Sequence, residues 1–260
     1  MDVILTAGGI PSQKDPLHTA ARGGYKAMID INGKPMIQWV LNALSSAAKI
    51  ERIILVGLPP VTDLNSAKPI VIVEEQGDLL SNIRAGCHEV SSQHTGEEHV
   101  LLVAADIPLL EPHMVDWMVD QVSTSEADVN YGLVDKALME STFPGARKNF
   151  ITLKEQQICG GEMNAIRLKI AGSGDPVWQR LVEARKNPLK LASVAGYDTM
   201  FLLQLRQRTI SEVEKSVQSH FGFTCRALLS PYPEIAADVD KPYQLELVKT
   251  ALRKRHEAEP

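Results

Sequence analysis

Three carboxylates and one ammonium stand out by where they fall. Asp106 comes directly after the apolar run Val100–Val103 and the pair Ala104-Ala105. Asp238 and Asp240 alternate in Ala237-Asp238-Val239-Asp240-Lys241-Pro242, so in extended backbone their side chains point the same way. Lys26 follows Gly23-Gly24-Tyr25, and an earlier glycine pair, Gly8-Gly9, ends the apolar run that opens the chain. Glycines let backbone N–H groups approach phosphate oxygens, and a lysine supplies charge. Mg2+ accepts one or two carboxylates and fills its remaining positions with water and substrate phosphates. Together these residue types suit a nucleoside triphosphate. Each also has an ordinary reading. Asp106 can cap the helix that follows Pro108, Asp240 can cap the last helix, and Gly8-Gly9 can be a tight turn. Neither GxxxxGK[ST] nor GxGxxG occurs at Gly8 or Gly23, which disfavours the two common phosphate loops.

The elements that must carry these residues follow from pattern. Val3–Leu5, Ile53–Val56, Ile70–Val73 and Val100–Val103 are short apolar runs stopped by Gly, Pro or acidic clusters, as in strands covered on both faces. Between them, apolar residues at helical spacing predict helices from Lys34-Pro35 to Leu44, from Leu79 through Cys87 and from Pro112 to about Val122. Asn32-Gly33 is a turn signal. Strands alternating with helices predict an α/β fold, a three-layer α/β/α sandwich on a mostly parallel sheet. Asp106 and Gly8-Gly9 then fall at the carboxyl edge of that sheet, where open α/β sheets bind ligands.

The pattern changes after Ala127. Val129–Val134 is a further strand, and Ile151–Leu153 and Ala165–Ile170 are predicted as two strands flanking Cys159-Gly160-Gly161. Those glycines either approach a ligand or make a hairpin. Helices are expected from Asp175 to Lys186, over Leu189–Val194 and Tyr197–Arg206, and from Thr209 to Gly222, followed by a strand Phe223–Leu229 and a last helix from Lys241-Pro242 whose end frays beyond Arg253. Residues 1–260 read as a single domain in which 125–232 is an acceptor-side and helical elaboration. The part from Trp178 to Phe221 can serve as a homodimer face or as a lid.

A net charge of −5 over 260 residues argues against a general nucleic-acid or membrane-surface binder. No apolar run nears the roughly 20 residues of a membrane span. The three cysteines, Cys87, Cys159 and Cys225, form no CxxC pair. No basic leader precedes the first strand. These features predict a cytoplasmic protein.

Leu5-Thr6-Ala7-Gly8-Gly9, then Lys26-Ala27-Met28-Ile29 with Gly33-Lys34-Pro35-Met36-Ile37, resembles the opening of the MobA-like nucleotidyltransferases. Gly77 to Gly86 is similar to that superfamily's second nucleotide-contact segment. Ala105-Asp106-Ile107-Pro108-Leu109 resembles its metal-binding strand end, and Asp238-Val239-Asp240-Lys241-Pro242 its closing motif. The resemblance implies a nucleotide-diphospho-sugar transferase (GT-A-like) fold and transfer of NMP from an NTP to a phosphorylated small-molecule acceptor, with pyrophosphate released. It implies Ala7, Gly8, Gly9, Lys26, Gly77, Ser81 and Ala105 as nucleotide contacts, Lys26 and Asp106 as catalytic residues, and Asp106 and Asp240 as ligands of Mg2+. Gly160, Gly161 and Arg147 are acceptor-side candidates. The path from Gly9 to Lys26 is longer than is usual in the family, and Lys14 and Arg22 on it compete for the cationic role. A glycosyltransferase of similar fold is the alternative, although Asp106-Ile107-Pro108 lacks the second acid of a DxD pair. A non-catalytic nucleotide-binding protein is the other.

Overall fold

The computed structural model describes residues 1–60, 64–92, 98–171 and 207–258. The helices expected over 175–186, 189–194 and 197–206 lie outside the described residues.

Five of the predicted strands are present, as β1 (Val3–Thr6), β4 (Ile53–Val56), β5 (Ile70–Val73), β6 (His99–Ala104) and β7 (Val129–Asp135). With β8 (Ile151–Thr152), β9 (Gln157–Arg167) and β10 (Cys225–Leu229) they build one sheet in the order β10-β7-β9-β6-β1-β4-β5, with β8 on β9. β1 pairs in parallel with β4 and β6, β4 with β5, and β7 with β10, while β9 runs antiparallel between β6 and β7. β2 (Asp30–Ile31) and β3 (Lys34–Pro35) form a separate hairpin. Its turn is Asn32-Gly33, both at positive φ, which is the backbone that an Asn-Gly turn supplies. The helix expected to include Pro35 therefore starts at Met36.

Alternation along the strands feeds two cores. Val3, Leu5, Leu101 and Val103 join one cluster, against α2 (Met36–Ser46), α4 (Pro112–Ser123) and α8 (Pro242–Ala258). Ile4, Ile54 and Val100 join the other, against Ile83, Cys87 and Val90 of α3 (Leu79–Ser91). Both faces of β4 are covered, which is why all four of its residues are apolar and fully buried. The short α1 (His18–Ala21) lies in the long loop after Gly9, and α6 (Leu168–Ala171) follows β9. α7 (Ile210–Phe221) opens with a complete capping box of Thr209 and Glu212.

Three expectations need correction, and one helix is not foreseen. β9 is one unbroken strand, so Gly160-Gly161 is neither a hairpin nor a gap between two strands. Residues 168–171 are helical rather than strand. A helix that the sequence reading does not assign, α5 (Lys136–Thr142), follows β7, capped by Asp135 Oδ1, which accepts from Ala137 N–H at 2.8 Å. Helix α8 continues past Arg253 to Ala258.

Two contacts fix the frame around the sheet's carboxyl edge. Gly57, at φ 103°, ends β4 beneath the turn that follows β1, and a Cβ there would lie 2.4 Å from Gly8 N. Gly57→Ala should cost about 1–3 kcal/mol of stability, from backbone strain alone. A denaturant midpoint equal to wild type would contradict this packing. Lys148 and Asp238 form a buried ion pair that ties the loop after α5 to the segment before α8. Burial pushes the Asp238 carboxyl up, while Lys148 pulls it down. Lys148→Met leaves that carboxylate unpaired and should cost about 3–5 kcal/mol at pH 7. Without Lys148 the folded-state pKa rises further above the unfolded value. The folded state then binds more protons, and the deficit should shrink as pH falls from 7 toward 5. Melting curves at several pH values test both the size and the sign.

Candidate nucleotide site

The chain order reverses across β1: β4 and β5 lie on one side and β6 on the other. Such a reversal opens a crevice at the carboxyl ends of the strands. The turns after β1 and β6 meet there, held by Ala7 N–H to Val56 O at 2.8 Å and Ala105 N–H to Thr6 O at 3.0 Å. The cleft has a volume of about 470 Å3.

Ala7, Gly8, Gly9, Lys26, Gly77, Ala105, Asp106 and Asp240 all line this cleft, and the fold brings them together from across the whole chain. Lys26 is central. Its Nζ donates to Asp106 Oδ2 at 2.7 Å and to Asp240 Oδ1 at 2.5 Å. Burial would lower the Lys26 pKa, but the two carboxylates outweigh it and hold the ammonium well above the ordinary lysine range. The Asp240 carboxyl, raised by burial, is brought below its usual range by Lys26. Asp106 does not cap α4: that helix starts at Pro112, behind Glu111. Nor is the Asp240 side chain spent on α8, since it is the backbone N–H of Asp240 that donates, to Gln244 Oε1 at 3.0 Å.

The long loop folds back compactly. Leu17 is buried at its middle, His18 Nδ1 bonds Pro11 O at 2.9 Å, and Lys26 N–H donates to Gly9 O at 3.1 Å. The extra residues therefore leave the lysine beside the glycine turn. Lys14 and Arg22 are exposed, and neither lines the cleft.

Four predicted positions fall elsewhere. Ser81 does not line the cleft; its hydroxyl donates to Asp78 Oδ2 at 2.7 Å in the cap of α3. Its neighbour Asn82 lines the cleft instead, buried, with Oδ1 accepting from Gln76 N–H at 2.7 Å. A Cβ on Gly160 would meet Tyr131 Oη at 2.8 Å, and one on Gly161 would meet Ile235 Cδ1 at 2.8 Å, so packing accounts for both glycines. Arg147 stacks over Tyr243 at 5.7 Å. Sequence reasoning missed Glu75, Asn82 and Glu162, all cleft-lining. Glu75 had a signal, since it follows β5 at the same sheet edge; Glu162 had none.

Asp106 Oδ1 is buried without a hydrogen-bond partner among the described residues. A buried, unsatisfied carboxylate oxygen beside a second carboxylate is a hard-oxygen donor set that suits a divalent cation. Among the described residues, no three His, Cys, Asp or Glu side chains converge on one point, so any ion here would take its other ligands from solvent and substrate.

Comparison with known proteins agrees with this architecture. A probable molybdenum cofactor guanylyltransferase of Thermococcus sibiricus is 27% identical over 143 residues, which is 54% of this chain and 69% of that protein. A solved hypothetical transferase from Thermus thermophilus is 32% identical, covers 94% of this chain and 98% of its own, and superposes with a TM-score of 0.80. The CMP:2-keto-3-deoxy-manno-octonic acid synthetase complexed with CTP is 14% identical with a TM-score of 0.59 over 98% of this chain and 99% of that one, and it shares the fold. The family model for the MobA-like NTP transferase domain matches residues 3–156, and the chain belongs to that family of nucleotidyltransferases.

Proposed function

We propose that the protein transfers GMP from GTP to a phosphorylated small-molecule acceptor and releases pyrophosphate. The observation that carries this reading is the convergence of Gly8-Gly9, Lys26, Asp106 and Asp240 in one cleft at the strand-order reversal. The Gly8-Gly9 turn offers backbone to the phosphates, and Lys26 neutralises charge on the α-phosphate and the departing pyrophosphate. An acceptor phosphate is already anionic at pH 7, so its oxygen attacks the α-phosphorus without a general base. Catalysis is then positioning and charge stabilisation. Asp106 and Asp240 would hold a divalent cation, Mg2+, which supplies charge stabilisation when bound.

The choice of guanine rests on the far wall. A Cβ on Gly8 would lie 3.1 Å from Glu75 Oε1 and 3.0 Å from Asn82 Nδ2, so a carboxylate and an amide converge beside the glycine turn. A carboxylate accepts from the N1–H and 2-amino groups of guanine and finds no such paired donors on cytosine or uracil. The guanylyltransferase name of the Thermococcus relative supports the same base.

Pyrophosphate release measured with Mg2+ across GTP, CTP, UTP and ATP, against a panel of phosphate monoesters, should favour GTP by at least about tenfold. Glu75→Gln should erase most of that preference, as loss of a charged hydrogen-bond partner does. Release from CTP alone would overturn the choice of base. Turnover only of nucleotide sugars would indicate a glycosyltransferase, and NTP binding with no pyrophosphate from any pair would indicate a non-catalytic binder. Asp106→Ala should abolish turnover. Lys26→Ala should lower kcat by about 100-fold or more while Lys14→Ala and Arg22→Ala stay near wild type; the reverse ranking would put the triphosphate on the loop cations.

A further inference from the structure

Asp240 stands where an aspartate is commonly spent on its own helix, and three others in this chain are spent that way. Asp15 Oδ1, ahead of α1, accepts from Leu17 N–H at 2.8 Å. Asp78 Oδ1, ahead of α3, accepts from Leu80 N–H at 3.0 Å and Ser81 N–H at 3.2 Å. Asp135 Oδ1, ahead of α5, accepts from Ala137 N–H at 2.8 Å and Leu138 N–H at 3.4 Å. Each takes the N–H two residues on, and the caps of α3 and α5 take the third as well. The exposed Asp240 carboxylate, two residues before α8, instead reaches Lys26.

The residues that follow explain part of the difference. The residue two on is Pro242, which has no N–H to give. Tyr243, three on, has one. Lys241 is the N-cap, because its carbonyl accepts from Leu245 N–H at 3.1 Å, and a lysine side chain offers the first turn no acceptor. The N–H groups of that turn therefore still attract a carboxylate.

Gln244 opposes that attraction. It is buried, and its Oε1 accepts from Asp240 N–H at 3.0 Å. The side chain reaches back past Lys241, much as the third residue of a capping box reaches back to the N-cap. On the other side, Val239 N–H donates to Asp106 O at 2.9 Å. With its own N–H and its neighbour's both fixed, the Asp240 Cα–Cβ bond is held in one direction. The backbone rotation that would carry the carboxylate over α8 breaks the Gln244 bond. A neutral amide does this without adding charge to a wall that carries Asp106, Asp238, Asp240 and Glu162.

We propose that Gln244 is a positioning residue of the cleft: it holds the backbone of Asp240 so that the carboxylate faces Lys26 and the divalent cation rather than the first turn of α8. The inference rests on the nucleotidyl-transfer reading for Asp240 as a ligand of that cation. Without the amide oxygen, Asp240 reverts to the cap that Asp78 and Asp135 form, with Tyr243 N–H as its donor.

Two measurements on the full chain test this. Crystal structures read where the Asp240 carboxylate lies. Calorimetry with the α,β-methylene analogue of GTP, in Mg2+ and in EDTA, gives a ratio of affinities that reads the cation's contribution without turnover. Gln244→Met and Gln244→Ala both remove the acceptor, the first with little change of volume, so that one folded variant suffices. In either, the carboxylate should leave Lys26 for Tyr243 N–H, and the ratio should fall about tenfold, as when a residue that orients a metal ligand is lost. Gln244→Glu keeps an acceptor oxygen and should keep the carboxylate on Lys26. Asp240→Asn should lower the ratio by itself, and adding Gln244→Met should then lower it no further, which a purely structural role would not produce. A carboxylate that stays on Lys26 in Gln244→Met and Gln244→Ala overturns the proposal, as does a fall in ratio that recurs in full on top of Asp240→Asn. If the carboxylate moves in the crystals but the analogue binds no form of the protein, or Mg2+ leaves its affinity unchanged in wild type, the positioning stands and the nucleotidyl-transfer reading falls.

Discussion

A single ammonium holds the cleft together. Lys26 bridges Asp106, 80 residues away in sequence, and Asp240, 214 residues away. Two carboxylates this close in a crevice repel each other, and neither can be neutralised by water as well as by a cation. Each supporting element can be understood from that constraint. β1 and β6 lie side by side, so that the glycine turn and Asp106 share an edge. The loop from Gly9 returns to place Lys26 there, and the segment before α8 brings Asp240 across, with Val239 N–H donating to Asp106 O at 2.9 Å. The ammonium that balances the two acids lines the cleft beside the Gly8-Gly9 turn, because Lys26 N–H is tied to Gly9 O.

The second acid–base pair differs from the first in burial. Lys148 and Asp238 are both largely buried, with side chains 13% and 9% exposed, and they act as a fixed strut rather than as an exchangeable contact. Asp240, two residues on, has a side chain 60% exposed and can change partners. Alternation in extended backbone thus buries one aspartate in a fixed pair and leaves its neighbour at the open side of the cleft.

Legibility in the sequence tracked how local each signal was. The all-apolar run Ile53–Val56 reads as a strand covered on both faces because burial on both sides needs no information from elsewhere. Asp106 was legible because its position after a strand is itself the signal. The Thr209–Glu212 capping box and the Asn32-Gly33 turn are complete within four and two residues. Asp135 as the cap of α5 is an equally local signal, and the sequence reading does not assign it. Ser81 and Asn82 are adjacent on one helix, and which of them faces the cleft depends on helix rotation, which is set by Ile83 and Cys87 packing on Ile4. Glu162 was not legible at all. Gly160-Gly161 carries the look of a turn, and only pairing with β7, about thirty residues upstream, turns those glycines into a bulge.

The neck of the long loop has a consequence for how such a protein can diversify. Gly9 O and Lys26 N–H close the loop at its base, and Leu17 anchors its interior, while Ser12 to Pro16 lie exposed. Closing a somewhat longer loop costs little, because the entropy grows only with the logarithm of its length. Residues could therefore be added or removed at that tip of this chain without moving Lys26 away from Asp106 and Asp240.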